Sequence, residues 1–380
     1  MKNKIGVVAV AGKYRTGKSF LLNRIIIGRL NGGFGVGSTI NACTKGIWVW
    51  DQPIKIKNSE GEEFDLLVMD TEGIGGMNED QNHDTRIFLL ATLLSSLLIY
   101  NSLGNIDENA LHNISLIVNM SKHLQIRSQT GKETDLEELK SYFPNFLWVL
   151  RDFALKLEDT NGKPISAKQY LESSLLPQKG SSENVEIKNR IRKVITGVFK
   201  ERDCYPLIRP VEDEKDMQNL QETPDTGLRP EFVEQMKILR ELIYKKVKAK
   251  KLNDSYINGN MLLELCNAYT KAFNSGDVPC IENAWNSLCK FHSYKLMEEI
   301  IKDYEKGLNE YAEKCEYDPE KLKEKSKELR EKMYKKFREE SVGDSYKEYG
   351  NALKEKLLEK YEEVKKMSDD KITVSKAYKI

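Results

Sequence analysis

The stretch Gly12-Lys13-Tyr14-Arg15-Thr16-Gly17-Lys18-Ser19 constrains this chain more than any other feature. It fits G-x-x-x-x-G-K-[ST], a loop whose backbone amides cradle phosphates. Its flanks fit as well. Ile5-Gly6-Val7-Val8-Ala9-Val10 is a short, apolar, β-branched run that predicts a buried parallel strand. Ser19 to Leu30 predicts a helix with Phe20, Leu21, Leu22, Ile25 and Ile26 along one apolar face. Strand, glycine loop and helix together aim successive N–H groups and a helix N-terminus at an anion. A plain Gly-rich turn before a helix is the alternative, and both flanking elements count against it.

The 380 residues suffice for two domains, or one large domain with an extension. With 60 Lys+Arg against 59 Asp+Glu the net charge is +1, so no overall field draws in nucleic acid or an anionic membrane. Cys43, Cys204, Cys266, Cys280, Cys289 and Cys315 are scattered without a C-x-x-C pair, which fits reduced thiols in a cytoplasmic protein. Four dispersed histidines, His83, His112, His123 and His292, make no zinc pattern. Met1-Lys2-Asn3-Lys4 runs directly into the first strand, so no signal peptide is expected. Ile87 to Tyr100 is nearly apolar, but its 14 residues include Thr92, Ser95 and Ser96. That falls short of the ~20 needed to span a bilayer. The final Ala377-Tyr378-Lys379-Ile380 lacks the Cys of a prenylation signal, and no lipid anchor is expected.

Strand and helix signals alternate through the first half: Ile47–Trp50, Phe64–Asp70, a helix from about Asp84, then Leu97–Tyr100. A helix from Asp107 to about Gln125, a strand over Phe146–Leu150, helices near Ser166–Leu176 and Glu183–Lys200, and a strand around Tyr205–Ile208 follow. Such alternation predicts an α/β domain with a mostly parallel sheet over 1–211. Residues 212–228 are polar and acidic and read as a linker or loop. From 229 to 380 the strand signals vanish, predicting an all-α domain. Its first helix opens at Pro230 with Phe232, Val233, Met236, Leu239, Ile243 and Val247 at helical spacing. Further helices are expected over Gly259–Ser275, Val278–Phe291 and Lys295–Tyr311. The charged stretch Tyr317 to Met367 carries a narrow apolar stripe, including Leu322, Leu329, Met333, Phe337, Leu353, Leu357 and Tyr361. It must pack that stripe on its own bundle or on a partner.

In the chemistry that a phosphate loop serves, Lys18 reaches the β- and γ-phosphates and the Ser19 hydroxyl ligates Mg²⁺. A carboxylate at the end of a second strand must hold the metal's water shell, and Asp70 stands there after Phe64-Asp65-Leu66-Leu67-Val68-Met69. Asp70-Thr71-Glu72-Gly73 completes D-x-x-G, in which the Gly73 amide can meet a γ-phosphate. Gly37 to Gly46 should contribute a threonine to Mg²⁺. Thr44 is the candidate and Thr39 the competitor. The common guanine motif N/T-K-x-D is absent, Asn119-Met120-Ser121-Lys122 coming nearest. Arg151-Asp152 follows the Phe146–Leu150 strand and puts a carboxylate where ligands bind in open α/β sheets. A local Arg–Asp surface pair is its plainer reading.

These residues resemble the guanylate-binding protein family of dynamin-superfamily large GTPases. The resemblance rests on the G-x-Y-R-T-G-K-S form of the loop, on Gly37-Ser38-Thr39, Thr44-Lys45-Gly46-Ile47-Trp48 and Asp70-Thr71-Glu72-Gly73. Leu94-Ser95-Ser96, Tyr100-Asn101-Ser102, Trp148 to Phe153, Pro230-Glu231-Phe232-Val233, Asn258-Gly259 and Ser275 to Ala284 extend it from about residue 5 to about 310. It implies a P-loop GTPase domain followed by a helical domain, with GTP as substrate, Mg²⁺ as cofactor and a homodimer formed through the GTPase domain. It further implies that Arg15, an arginine delivered in cis, acts catalytically with Lys18 and Glu72, Glu72 ordering the attacking water. Nucleotide contacts are then expected from Gly12, Tyr14, Arg15, Thr16, Gly17, Lys18, Ser19, Phe20, Thr44, Asp70, Gly73, Arg151 and Asp152, with Asp84 in a second contacting segment. Ser19, Thr44 and, through water, Asp70 would hold the metal.

Three departures qualify that expectation. Ala42 stands where the family usually has a serine that helps arrange water. Against the resemblance, the extra N-terminal segment common in the family is expected to be lacking, and its long terminal helices and lipid anchor are expected to be shortened or missing. Ala42 points to the rival reading, a scaffold that binds GTP but hydrolyses negligibly. An ATPase would require Asp152 to be irrelevant. Whether cleavage continues to GMP, and what the helical domain binds, the residues leave open.

Overall fold

The computed structural model describes residues 3–30, 32–36, 44–58, 61–75, 81–114, 140–276 and 279–377. Two compact units divide the chain, Met1–Ile281 and Glu282–Ile380.

In the first unit β1 (Ile5–Ala11) is wholly buried, as its apolar run requires. It lies between β4 (Glu63–Thr71) and β5 (Leu97–Leu103), parallel to both. Next to β5 come β6 (Asn145–Arg151) and β7 (Arg202–Pro206), also parallel. Two short strands, β2 (Ile47–Val49) and β3 (Ile54–Lys57), pair antiparallel with β4 and complete a seven-stranded sheet. The sheet is thus mostly parallel, as expected. β3 has no counterpart in the sequence expectations, because Ile54-Lys55-Ile56-Lys57 is too short for its alternation to stand out. The register sets Val10 opposite Asp70, which brings the phosphate loop and the D-x-x-G segment together at the same end of the sheet.

Helix α1 (Lys18–Leu21) follows the loop and widens into a π turn over Leu22–Ile27, ending at left-handed Gly28. Phe20, Leu21, Leu22, Ile25 and Ile26 are all buried. Next come α2 (Gln81–Leu94), α3 (Glu108–Asn113), α4 (Ala167–Ser174) and α5 (Glu183–Val198). The expected continuation of α3 toward Gln125 lies outside the described residues. The stretch 212–228, expected as a loop, contains the short helix α6 (Glu214–Gln218) and a 3₁₀ turn at Asp225–Gly227.

Helix α7 (Pro230–Lys246) starts with Pro at its first position. Its apolar face, Phe232, Met236, Leu239 and Ile243, joins Val8, Val10, Leu66 and Val68 of the sheet in one core cluster. That packing places α7, expected to open a separate helical domain at 229 after a domain over 1–211 and a linker over 212–228, in the unit that runs to Ile281. A two-stranded ribbon, β8 (Lys251–Leu252) and β9 (Ser255–Tyr256), precedes α8 (Gly259–Ser275), whose N-terminus is capped by Asn258.

The second unit contains α9 (Ile281–Lys314), α10 (Pro319–Glu340) and α11 (Tyr346–Ala377). Where two helices were expected over 278–311, one runs unbroken, since neither Gly nor Pro occurs between Ile281 and Lys306. The apolar stripe of the charged stretch packs within its own bundle. Leu322, Leu329, Met333, Phe337, Leu353 and Leu357 cluster with Leu296, Ile300, Tyr304 and Leu308 of α9.

Candidate nucleotide-binding site

A cavity of about 420 Å³ opens where β1, β4 and β6 end. Tyr14, Arg15, Thr16, Gly17, Lys18, Ser19 and Phe20 line one end of it, with Thr44 and Gly73 beside them. Leu103, Arg151 and Asp152 contribute to the lining, as do Glu214, Met217, Gln218, Leu220 and Gln221.

The loop's shape follows from its backbone. Arg15 and Gly17 both have positive φ, 65° and 74°. A non-glycine residue in that region is uncommon, and strain of this kind clusters at functional sites. Arg15 itself is exposed. Gly12 lies under the loop, where a Cβ would sit 2.1 Å from the carbonyl oxygen of Asn101. Only glycine allows that approach. The loop is braced from several sides. Thr16 Oγ1 donates to the Lys13 carbonyl at 2.8 Å, and Asn101 Nδ2 donates to the Thr16 carbonyl at 2.8 Å. Arg151 Nη1 donates to the Gly17 carbonyl at 3.2 Å. Amide bonds from Tyr14 to the Ile74 carbonyl and from Ile74 to the Gly12 carbonyl, each 3.1 Å, tie the loop to the D-x-x-G segment. Gly73 is required there, because a Cβ would lie 2.3 Å from the Tyr14 Cα.

Ser19, Thr44 and Asp70 converge. Ser19 Oγ donates to Asp70 Oδ2 at 2.5 Å and Thr44 Oγ1 donates to the same oxygen at 3.0 Å, the two hydroxyls standing 3.4 Å apart. The other oxygen, Asp70 Oδ1, is buried without a hydrogen-bond partner. Two hydroxyls, a carboxylate and an unsatisfied acceptor form an all-oxygen donor set that fits Mg²⁺, which prefers hard oxygen ligands and keeps part of its water shell. Among the described residues no cluster of His, Cys, Asp and Glu forms a protein-only metal cage. Thr39, the competitor of Thr44, lies outside the described residues, as do Ala42 and Asn119-Met120-Ser121-Lys122.

Burial opposes charge throughout this end. It pushes the Lys18 amine down to about 8, with Asp70 and Glu72 working the other way. It raises the Asp70 carboxyl above its ordinary range, against the hydrogen bond from Ser19 and the charge of Lys18. A phosphate beside Lys18 and Mg²⁺ beside Asp70 would add to the opposite charge that each group already feels from the other.

Glu72 is buried and already engaged. Its Oε2 accepts from the Gly46 amide at 2.8 Å and lies 3.3 Å from His83 Nε2. Asp84 accepts from the Gly75 amide at 2.7 Å. At the far end Arg151 is buried, with Asp152 favouring its charge against desolvation. Asp152 is in a left-handed conformation, φ 56°.

Thus every expected contact from Tyr14 to Phe20, with Thr44, Gly73, Arg151 and Asp152, lines one cavity. Gly12 and Asp70 stand just behind it, and Glu72 is turned to Gly46 and His83. Sequence reasoning gave no role to Asn101 beneath the loop, to His83, or to the wall from Glu214 to Gln221. His83 gave a weak signal as a lone histidine near the start of α2, eleven residues past Glu72.

The fold and this loop define a P-loop GTPase-type domain followed by helices. Family models agree: residues 1–252 match the guanylate-binding protein N-terminal domain and 254–375 the C-terminal domain. The chain belongs to the guanylate-binding protein family. It is 36% identical over 306 residues to mouse guanylate-binding protein 7, covering 80% of this chain and 47% of that protein. Human guanylate-binding protein 1 is 36% identical over 310 residues, with 80% and 51% covered. Orangutan (Pongo abelii) guanylate-binding protein 6 is 38% identical over 282 residues, with 73% and 43% covered. The chain spans about half the length of these curated relatives. No helix among the described residues is long and apolar enough to cross a membrane.

Proposed function

We propose that the chain binds GTP with Mg²⁺ and hydrolyses it to GDP, as a cytoplasmic enzyme that pairs through its GTPase domain. The observation that carries this reading is the convergence of Ser19, Thr44 and Asp70, with its partnerless Oδ1, beside the loop that holds Lys18. Lys18 and the loop amides grip the phosphates, and Asp152 reads guanine by accepting its N–H groups. Ser19 and Thr44 would hold Mg²⁺ directly and Asp70 through water; when bound, the ion neutralises charge on the transferring phosphoryl group.

Arg15 would turn from its exposed position onto the phosphates of its own site when two domains meet. Cationic fingers of this type contribute roughly 10³–10⁵ in rate. Glu72 would orient the attacking water once nucleotide draws Gly46 away from its carboxylate. The nucleotide state would then be passed to the helical C-terminal part. The relatives' printed names support guanylate binding, and the cavity suits a nucleotide in size and polarity.

A second reading, a GTP-dependent scaffold with negligible turnover, is favoured by one observation: Glu72 is held by Gly46 and His83, which compete with water for its carboxylate. Phosphate release from the purified chain across a range of protein concentrations separates the two. Specific activity that rises with concentration is the result expected. Tight binding of GTP without phosphate release at any concentration would favour the scaffold.

A further inference from the structure

The first helix after the phosphate loop is held at its far end by α7. Arg24, Ile25 and Ile26 are in its last turn, where helix carbonyls have no partner inside the helix. Arg240 Nη2 donates to the Arg24 carbonyl at 2.7 Å and Arg240 Nε to the Ile25 carbonyl at 2.5 Å. Tyr244 donates its hydroxyl to the Ile26 carbonyl at 3.0 Å. The backbone that carries Arg24 is therefore fixed.

From that fixed point the guanidinium spans to the cavity wall. Arg24 is 6% exposed in its side chain, and Nη1 donates to Asp225 Oδ1 at 3.0 Å. Nη2 donates to the Leu220 carbonyl at 3.3 Å and to the Thr223 carbonyl. The same guanidinium lies 5.6 Å from the centre of the Phe20 ring, and Phe20 and Leu220 both line the cavity. A buried charge is tolerated only where it is paired and hydrogen-bonded, and here those partners all belong to the 220–225 turn. The rest of the wall has only half-buried or exposed supports. There α6 is one short helix, capped by Asp213 at 2.7 Å, with no fully buried residue. Glu214 pairs with Arg209 at 2.7 Å, and Met217 and Leu220 are half-buried against the core.

We propose that Arg24 is the positioning residue for the Glu214–Gln221 wall, and through it sets how tightly the nucleoside end of the bound nucleotide is held. The inference rests on the nucleotide reading above. Arg24 does not itself line the cavity. It ties the helix that begins at Lys18 to the wall that faces Asp152.

The test uses the full chain carrying Arg24→Gln, Arg24→Lys or Asp225→Ala. Release of a fluorescent N-methylanthraniloyl GDP is followed by stopped flow, and the affinity for inorganic tripolyphosphate with Mg²⁺ by calorimetry. Arg24→Gln is expected to speed GDP release about 10-fold or more, the scale of hydrogen bonds made by a charged group. Tripolyphosphate affinity should stay within about 2-fold of the parent, because the phosphate loop is untouched. Arg24→Lys should restore part of the loss, since lysine keeps the charge without the fork. Asp225→Ala, at an exposed carboxylate, should speed release a few-fold and keeps the test decisive if Arg24→Gln fails to fold. Unchanged GDP release in these variants, or equal weakening of GDP and tripolyphosphate, overturns the inference. If the parent chain binds tripolyphosphate but no guanosine nucleotide, the nucleotide reading itself fails, and that outcome is distinct.

Discussion

The first compact unit buries Lys18, Arg24, Asp65, Asp70, Glu72, Asp84, Arg151, Arg192 and Lys250, whereas the polar side chains buried in the described part of the second are Ser293, Ser326 and Ser368 alone. Each of those hydroxyls is satisfied within the bundle: Ser293 by Ser345, Ser326 by Tyr304 and Ser368 by the Val364 carbonyl, all at 2.8 Å. Taking an ion out of water costs several kcal/mol even after relaxation, so charge is kept inside where partners or ligands repay it. In the first unit Lys18, Asp70 and Arg151 gather at the cavity and Arg24 braces its wall. The second unit instead follows the economy of a helical bundle, an apolar stripe inside and Lys–Glu pairs outside. It is built to hold shape, the first to hold charge.

The contrast can be broken or sharpened by substitution, starting with the largest effect. Arg15→Ala should lower turnover about 10³-fold or more while GDP affinity, read by calorimetry, changes little. Leu353→Ala, in the wholly buried stripe of the second unit, should cost about 2–5 kcal/mol in that bundle's urea unfolding and leave nucleotide affinity intact. Asp152→Asn should reduce the GTP-over-ATP preference about 10–100-fold, the scale of hydrogen bonds to a charged group. Parallel losses for both nucleotides would instead assign Asp152 a purely structural role.

A pH series probes buried charge away from the cavity. Lys250 donates to the Ser95 carbonyl at 2.7 Å, and burial pushes its amine from 10.5 down to about 7. Between those values the unfolded chain keeps a proton that the folded chain has released. Stability of the first unit should therefore rise with pH across that window, by at most about 1.4 kcal/mol per unit, and the cost of the buried charge is fully present below about 7. Lys250→Met should flatten the slope in urea midpoints measured at pH 7 and 9. The smallest effect is expected at the surface of the second unit. Lys356→Ala removes the 2.9 Å contact with Glu359 and should leave the melting temperature unchanged within error.

The parts of this molecule that consecutive residues build were legible in the sequence. The loop from Gly12 to Ser19, Asp70 at the end of its strand, and Thr44 ahead of β2 are local patterns, and the structure brings them together. What was missed depends on distant contacts. Residues 214–221 show no apolar periodicity, so nothing in their own sequence marks them as a cavity wall. Their anchor, Arg24, is about two hundred residues away in the chain. The π turn over Leu22–Ile27 escaped for the same reason, since Arg240 and Tyr244 secure its end from α7. The linker expected at 212–228 failed to separate α7 from the sheet because Phe232, Met236, Leu239 and Ile243 complete the same core. Helical spacing revealed that face without saying what it would cover.

The most direct test is calorimetric titration of the folded chain with a non-hydrolysable GTP analogue, with and without Mg²⁺. Saturable binding that tightens when Mg²⁺ is present and is lost in Lys18→Ala is the expected result. A folded sample that gives no binding heat with any guanosine nucleotide, in either condition, would contradict it.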